Sequence, residues 1–161
     1  MEATIDITKY LPHRAPFLMV DVITHLEAEA VETTFKILPN NIFVNPEGFF
    51  VEAGLVENAA QNCAAIVAKG FFVDENLEDK PDAQVIGFIS AIKTLKVFEL
   101  PKAGEIITTK SSLISNFVTD DYCLCTMHCR TFVGERQLLD GEINLFIQQQ
   151  VVAGPRVSSG W

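Results

Sequence analysis

Residues 49–69 read FFVEAGLVENAAQNCAAIVAK, and this stretch decides the fold. Ala53, Ala59, Ala60, Ala64, Ala65 and Ala68 favour helix and let neighbouring backbone come close, while β-branched residues are few. Lys69 and Gly70 supply a C-terminal charge and a cap, so the stretch predicts one helix over about residues 49–69. Apolar side chains surround nearly its whole circumference, which requires other structure on all sides. In a chain of 161 residues a curled sheet is what can supply that enclosure. One residue breaks the pattern. Glu57 is a mid-helix carboxylate with no Lys or Arg one turn away, and such a group is costly to bury unless paired.

Working outward, Val31, Thr33, Phe35 and Ile37 alternate with Glu32, Thr34 and Lys36, so residues 16–38 read as extended, with one dry strand face. LPNNIFVNPEG, residues 38–48, is turn and loop chemistry leading into the helix. Beyond the helix, VDENLEDKPDAQ at about residues 73–84 reads as a charged, exposed connection. Four apolar-rich runs follow: VIGFISAIKTLKVF, GEIITTKSSLIS, DYCLCTMHCRTFV and GEINLFIQQQ. They are parted by PKAG, by a region ending in Asp120 and Asp121, and by GERQ. Short turns between such runs predict an antiparallel meander, and GPRVSSGW at the end reads as frayed or docked late. The expected class is α+β, a long central helix wrapped by a curved antiparallel sheet. Hydrophobic content of 48% in this length suits a single domain, residues 1–161.

A formal net charge of −9, with 12 Lys and Arg scattered along the chain, argues against nucleic acid and anionic lipid as partners. The opening MEATIDITKYLPHR lacks the basic start and apolar core of a signal peptide, so a cytoplasmic location is expected. The central stretch is no membrane span either, because Glu52, Glu57, Asn58, Gln61 and Asn62 are each expensive in hydrocarbon. Cys123, Cys125 and Cys129 share strand parity with Met127, which places them on one face as small core side chains; a metal site or reactive thiol is the alternative. No metal or cofactor is expected.

The opening YLPHRAPFLMVD resembles a signature of the hot-dog 3-hydroxyacyl-acyl-carrier-protein dehydratases, and LVENAAQNCAA resembles the central-helix motif of that family. IGFISAIKTLKVFELPKAGEII is similar to the family's strand pair around a turn, here with Ala103, Gly104 and Glu105. The resemblance covers roughly residues 9–148. It implies a hot-dog dimer acting on an acyl chain held as a thioester on a phosphopantetheine arm, of acyl-carrier protein or CoA. A tunnel at the dimer interface would be flanked by a His of one subunit and a helix acid of the other. The acid aligns with Glu57 and the glutamine four residues on with Gln61.

Chemistry supports those positions independently. Dehydration of a 3-hydroxyacyl thioester needs one group to take the proton beside the carbonyl and one to protonate the departing hydroxyl. Burial in an apolar helix would favour the neutral, proton-donating form of Glu57. Backbone N–H groups between Gly48 and Glu52, at the helix N-terminus, would polarise the thioester oxygen. Phe43, Glu52 and Ala53 complete the expected substrate lining.

The sequence departs from the family where the catalytic His should stand. NNIFVNPEGFF contains none, and the three histidines of the chain are His13, His25 and His128. His13, in the LPHR motif, is either a hydrogen-bonded structural residue or a displaced base. His25 and His128 read as solvent-facing. Asn41 and Asn45 stand nearest the missing His, but an amide takes no proton at neutral pH, and turn formation is their other reading. Gln61 reads as the neighbour that orients Glu57, and Asn58 and Asn62 as a polar pair facing a dimer mate.

Three functions follow from these residues: a dehydratase-like enzyme with Glu57 as its strong acid–base group; a non-catalytic hot-dog subunit that binds acyl-carrier protein or completes a heterodimer; and an acyl thioesterase. Exposed sheet edges predict a homodimer, with a higher oligomer or a heterodimer as alternatives. Lys93, Lys96 and Lys102 would form the basic patch for an acidic carrier protein, or are simply solvated strand and turn residues.

Overall fold

The computed structural model describes residues 7–9, 11, 13–72 and 83–151. After a 3-10 turn (Ile7–Lys9) come β1 (Val22–Leu26), β2 (Ala30–Lys36), α1 (Glu52–Phe72), β3 (Ala83–Val97), β4 (Ile106–Val118), β5 (Tyr122–Val133) and β6 (Arg136–Val151). The strands form one six-stranded antiparallel sheet in the order β1-β2-β4-β5-β6-β3, and α1 lies across one face. This is the expected α+β arrangement. Among the described residues, no helix is long and apolar enough to cross a membrane. Of the connection predicted over about residues 73–84, residues 73–82 lie outside the described residues, as does the tail beyond Val151, while Ala83 and Gln84 already belong to β3.

The extended stretch at residues 16–38 is in fact a strap followed by a hairpin. Glu27 N donates to Ala30 O at 2.8 Å, reversing the chain between β1 and β2. The described residues before Asp21 join no strand, because the backbone groups of Phe17 and Met19 are taken by helix side chains. The meander also differs from expectation. β4, β5 and β6 run as one, but β3 and β4 do not pair; β3 lies beyond β6 and β4 lies beside β2. The PKAG segment makes that crossing because it is fastened to the loop before the helix. Phe50 N donates to Pro101 O (2.8 Å), Ala103 N to Gly48 O (2.9 Å) and Gly104 N to Ile37 O (2.7 Å).

The helix begins three residues later than predicted, since Val51 accepts the first-turn bonds from Gly54 N (2.9 Å) and Leu55 N (3.2 Å). It runs on through Gly70 to Phe72, so Gly70 is no cap. Leu55, Ala59, Ala65 and Ile66 press into a core with Ile107, Met127, Ile143 and Ile147 from the sheet. Large aliphatic side chains in such positions each contribute about 1.5–3 kcal/mol by burial. The expected enclosure on all sides is not what the chain achieves by itself. Glu52 and Ala53 are exposed, and Val56, Glu57, Ala64 and Val67 are half-buried, forming an outer strip that the sheet does not reach.

Beneath the helix the contact layer is partly polar. Thr33, Thr109, Ser111 and Thr131 on the sheet and Asn58 and Asn62 on the helix are all buried. Asn62 Nδ2 donates to Thr33 Oγ1 (2.8 Å) and Thr109 O (3.0 Å), while Thr109 Oγ1 donates to Asn58 Oδ1 (2.6 Å). Asn58 and Asn62 therefore face this sheet and not a dimer mate. The four cysteines are free thiols in the core, as their parity predicted for the three on β5. Cys63 lies 3.2 Å from Cys129; burial pushes the Cys63 thiol up, whereas the hydrogen bond from Cys63 holds Cys129 down.

Gly54 marks the tightest packing. A Cβ there would lie 2.6 Å from the Phe50 ring and 2.7 Å from Phe43 Cβ. Alanine gains about 1 kcal/mol in helix propensity, but overpacking of this kind costs about 1–3 kcal/mol. Gly54→Ala should therefore lower stability, and a urea midpoint at or above that of the wild type would show that the loop yields.

Candidate active site

Gln61 organises the site. Its Oε1 accepts Met19 N (2.7 Å), and its Nε2 donates to Phe17 O (2.8 Å) and to Glu57 Oε1 (2.8 Å). One helical turn separates Glu57 from Gln61, the spacing at which such pairs meet. Asn58 adds a second hold, donating from Nδ2 to Met19 O at 2.6 Å. Both backbone groups of Met19 are thus bound to the helix. The strap leading back to His13 is fixed as a result, with a cis peptide at Ala15–Pro16. Arg14 stays within its own segment, donating from Nη1 to Leu11 O (2.8 Å) and His13 O (2.7 Å) and from Nη2 to Thr8 O (3.4 Å).

This arrangement brings His13 to Glu57. Nε2 of His13 lies 3.7 Å from Glu57 Oε1, with side chains 29% and 34% exposed. Glu57 is therefore not the sealed, unpaired carboxylate that its helix suggested. Its side chain is one-third exposed on the outer strip. His13 differs from expectation too. Its Nδ1 is buried without a hydrogen-bond partner among the described residues. Burial lowers the His13 pKa from its ordinary value, opposed by Glu57 and assisted by Arg14. Desolvation outweighs the carboxylate, so at neutral pH the contact joins a neutral imidazole to a carboxylate and is no ion pair.

Of the other sequence-selected residues, Ala53 lies one turn before Glu57 on the same exposed strip, and Glu52 beside it in the first turn. Their backbone amides belong to the open N-terminal end of the helix. Phe43 packs edge-on against Phe50, with ring centroids 6.3 Å apart. Asn45 Oδ1 accepts Phe49 N (2.8 Å) and Asn41 Oδ1 accepts Phe43 N (2.8 Å), the turn-forming role of Asn. Asn41 also reaches the strap, its Nδ2 lying 3.4 Å from Met19 Sδ. His25 pairs with Glu27 (2.8 Å), and half-buried His128 pairs across strands with Asp140 (3.0 Å), both away from Glu57. Lys93 and Lys96 are exposed on β3, and Lys102 lies over the Phe49 ring at 5.7 Å. Asn58, which the sequence suggested would face a dimer mate, instead holds the strap, and the backbone groups of Phe17 and Met19 carry no signal in the residue pattern.

A helix laid across a curved antiparallel sheet, with an acid on its outer strip, defines the hot-dog class. The chain belongs to the ApeP-like dehydratase family, whose model matches residues 5–153. It is 27% identical over 147 residues to the 3-hydroxyacyl-acyl-carrier-protein dehydratase FabZ of Chlamydia trachomatis, covering 88% of this chain and 90% of that one. It is 30% identical over 105 residues to the FabZ of Saccharophagus degradans, covering 60% and 66%. Among solved structures, it superimposes on the dehydratase heterocomplex ApeI:P from Xenorhabdus doucetiae with a TM-score of 0.72, 15% identity and 91% of each chain covered. A hypothetical thioesterase from Streptococcus pneumoniae with coenzyme A gives 0.55, 15%, and 80% and 86%. The protein is a dehydratase-like hot-dog protein.

A histidine whose folded-state pKa is depressed contributes stability that is complete above its unfolded value of about 6.5 and is lost as pH falls below it. Between pH 7 and pH 5 the wild type should lose more stability than His13→Gln, whose side chain does not titrate. Parallel denaturation midpoints for the two across that window would show that His13 does not titrate as described.

Proposed function

We propose that this chain, read as one domain over residues 1–161, removes water from a 3-hydroxyacyl group held as a thioester on acyl-carrier protein or CoA. Glu57 is its acid–base group. The observation that carries this reading is the Glu57 carboxylate on the open strip of α1, oriented by Gln61 and flanked by His13. A carboxylate there suffices in principle for both proton transfers: it takes the proton from the carbon beside the carbonyl, then gives it to the hydroxyl as the C–O bond breaks, releasing water and the enoyl thioester. The exposed first turn at Glu52 and Ala53 supplies amides for the thioester oxygen. Glu57→Gln should lower turnover of a 3-hydroxyacyl-carrier-protein substrate by a factor of at least about 100. Undiminished turnover would remove Glu57 from the mechanism, and release of free thiol in place of enoyl product would favour thioester hydrolysis.

The chain works as part of an oligomer. β3 is a 15-residue edge strand, and Phe88, Ile92 and Leu95 along it are exposed apolar side chains. Such an edge favours pairing with another chain, and a second copy is the first expectation. A different hot-dog chain is the second reading, favoured by the lack of a histidine in residues 40–50 and by the ApeI:P assembly being a heterocomplex. The purified chain should run as a dimer in light scattering and turn over substrate unaided. Activity that appears only when a partner from native cells is added would establish the heteromeric reading.

A further inference from the structure

We propose that His13 is a neutral Nε2–H donor that positions the Glu57 carboxylate, and not a base in its own right. The role rests on Glu57 being the acid–base group; the protonation pattern of His13 does not.

A neutral imidazole carries its proton on one nitrogen and a lone pair on the other. Nε2 of His13 faces Glu57 Oε1 at 3.7 Å, and Nδ1 is buried without a partner among the described residues. With the proton on Nδ1, a buried donor would find no acceptor, and the bare Nε2 would turn its lone pair toward a carboxylate oxygen. With the proton on Nε2, the N–H dipole points at the carboxylate and only a lone pair is left dry, which is the cheaper omission. Both comparisons select the same tautomer.

The doubly protonated ring fails for the same reason, because its second N–H would lie in the unpartnered pocket of Nδ1. The charged groups that act on His13 are Glu57 from α1, which favours the cation, and Arg14 from its own strap, which opposes it. Their balance is set by burial. A nitrogen already holding its proton takes none from a substrate, so His13 does not replace the missing family histidine.

What it does is act on one oxygen. Glu57 Oε1 accepts Gln61 Nε2 at 2.8 Å and faces His13 Nε2, so Oε1 is the reserved oxygen and Oε2 is the one that handles the proton. A distance of 3.7 Å is too long for a hydrogen bond, and contacts of this kind often shorten when substrate is bound.

The test begins with the full-length chain labelled with 15N. Two-bond 1H–15N correlation at pH 7, assigned by the signal lost in His13→Gln, should show the Nε2–H tautomer. An Nδ1–H tautomer or an imidazolium at that pH would overturn the proposal while leaving the Glu57 role intact. Kinetics then separate a donor from a base, in the active assembly. Glutamine places an N–H near the position of Nε2, so His13→Gln should keep most of the activity. His13→Ala should lose roughly 10- to 100-fold in kcat/KM, the effect of one hydrogen bond to a charged group. The acid limb of its pH–rate profile should also move to higher pH. Equal loss in both variants would overturn the donor role. Full turnover in Glu57→Gln would remove the positioning role by removing its object, with the tautomer signal unchanged.

Discussion

The site depends on the hold that two helix side chains take on one residue of backbone. Gln61 binds Met19 N and Asn58 binds Met19 O, so a segment that joins no strand is fixed to the helix as firmly as a strand would be. Each of these bonds is buried, and a buried amide or carbonyl left without its partner costs about 1–3 kcal/mol. The hold therefore specifies a unique placement of the strap, and through it of His13.

The same economy runs through the layer under the helix. A sheet face offering Thr33, Thr109 and Thr131 to a helix is unusual in a core, because each hydroxyl must be matched. Asn58 and Asn62 do most of that matching, and Thr109 Oγ1 shares with Thr131 Oγ1 at 2.9 Å. Networks of this kind fix register where an apolar layer would slide. They hold the helix at one azimuth, and that azimuth turns Glu57 away from the sheet.

Glu57 thus meets two requirements that conflict in a single chain. It sits in an apolar helix, and the role proposed for it requires that a substrate reach it. The fold leaves the strip Ala53–Glu57–Ala64 open and places β3 at the sheet edge, paired with β6 on one side only. A second chain against that edge, as proposed, would bury the exposed apolar side chains Phe88, Ile92 and Leu95.

The helix, read at about residues 49–69 and found at 52–72, the strands and the inward cysteines were legible because they follow from local pattern: alanine content, alternation of period two, and turn residues between runs. Glu57 and Gln61 were legible as a pair for the same reason, since four residues on a helix make neighbours. The strand order was not, because the placement of β3 beside β6 depends on PKAG being fastened to the pre-helix loop, a contact between distant parts of the chain. Nor was the azimuth of the helix: with apolar residues on nearly every side, periodicity does not say which side meets the sheet, and so Asn58 and Asn62 were assigned to the wrong neighbour. The sequence by itself determined which residues the site has available and which histidine it lacks. Only the tertiary structure decided that His13, 44 positions before Glu57 in sequence, stands beside it, because that meeting is made by hydrogen bonds from helix side chains to strap backbone, and backbone leaves no mark in the residue pattern.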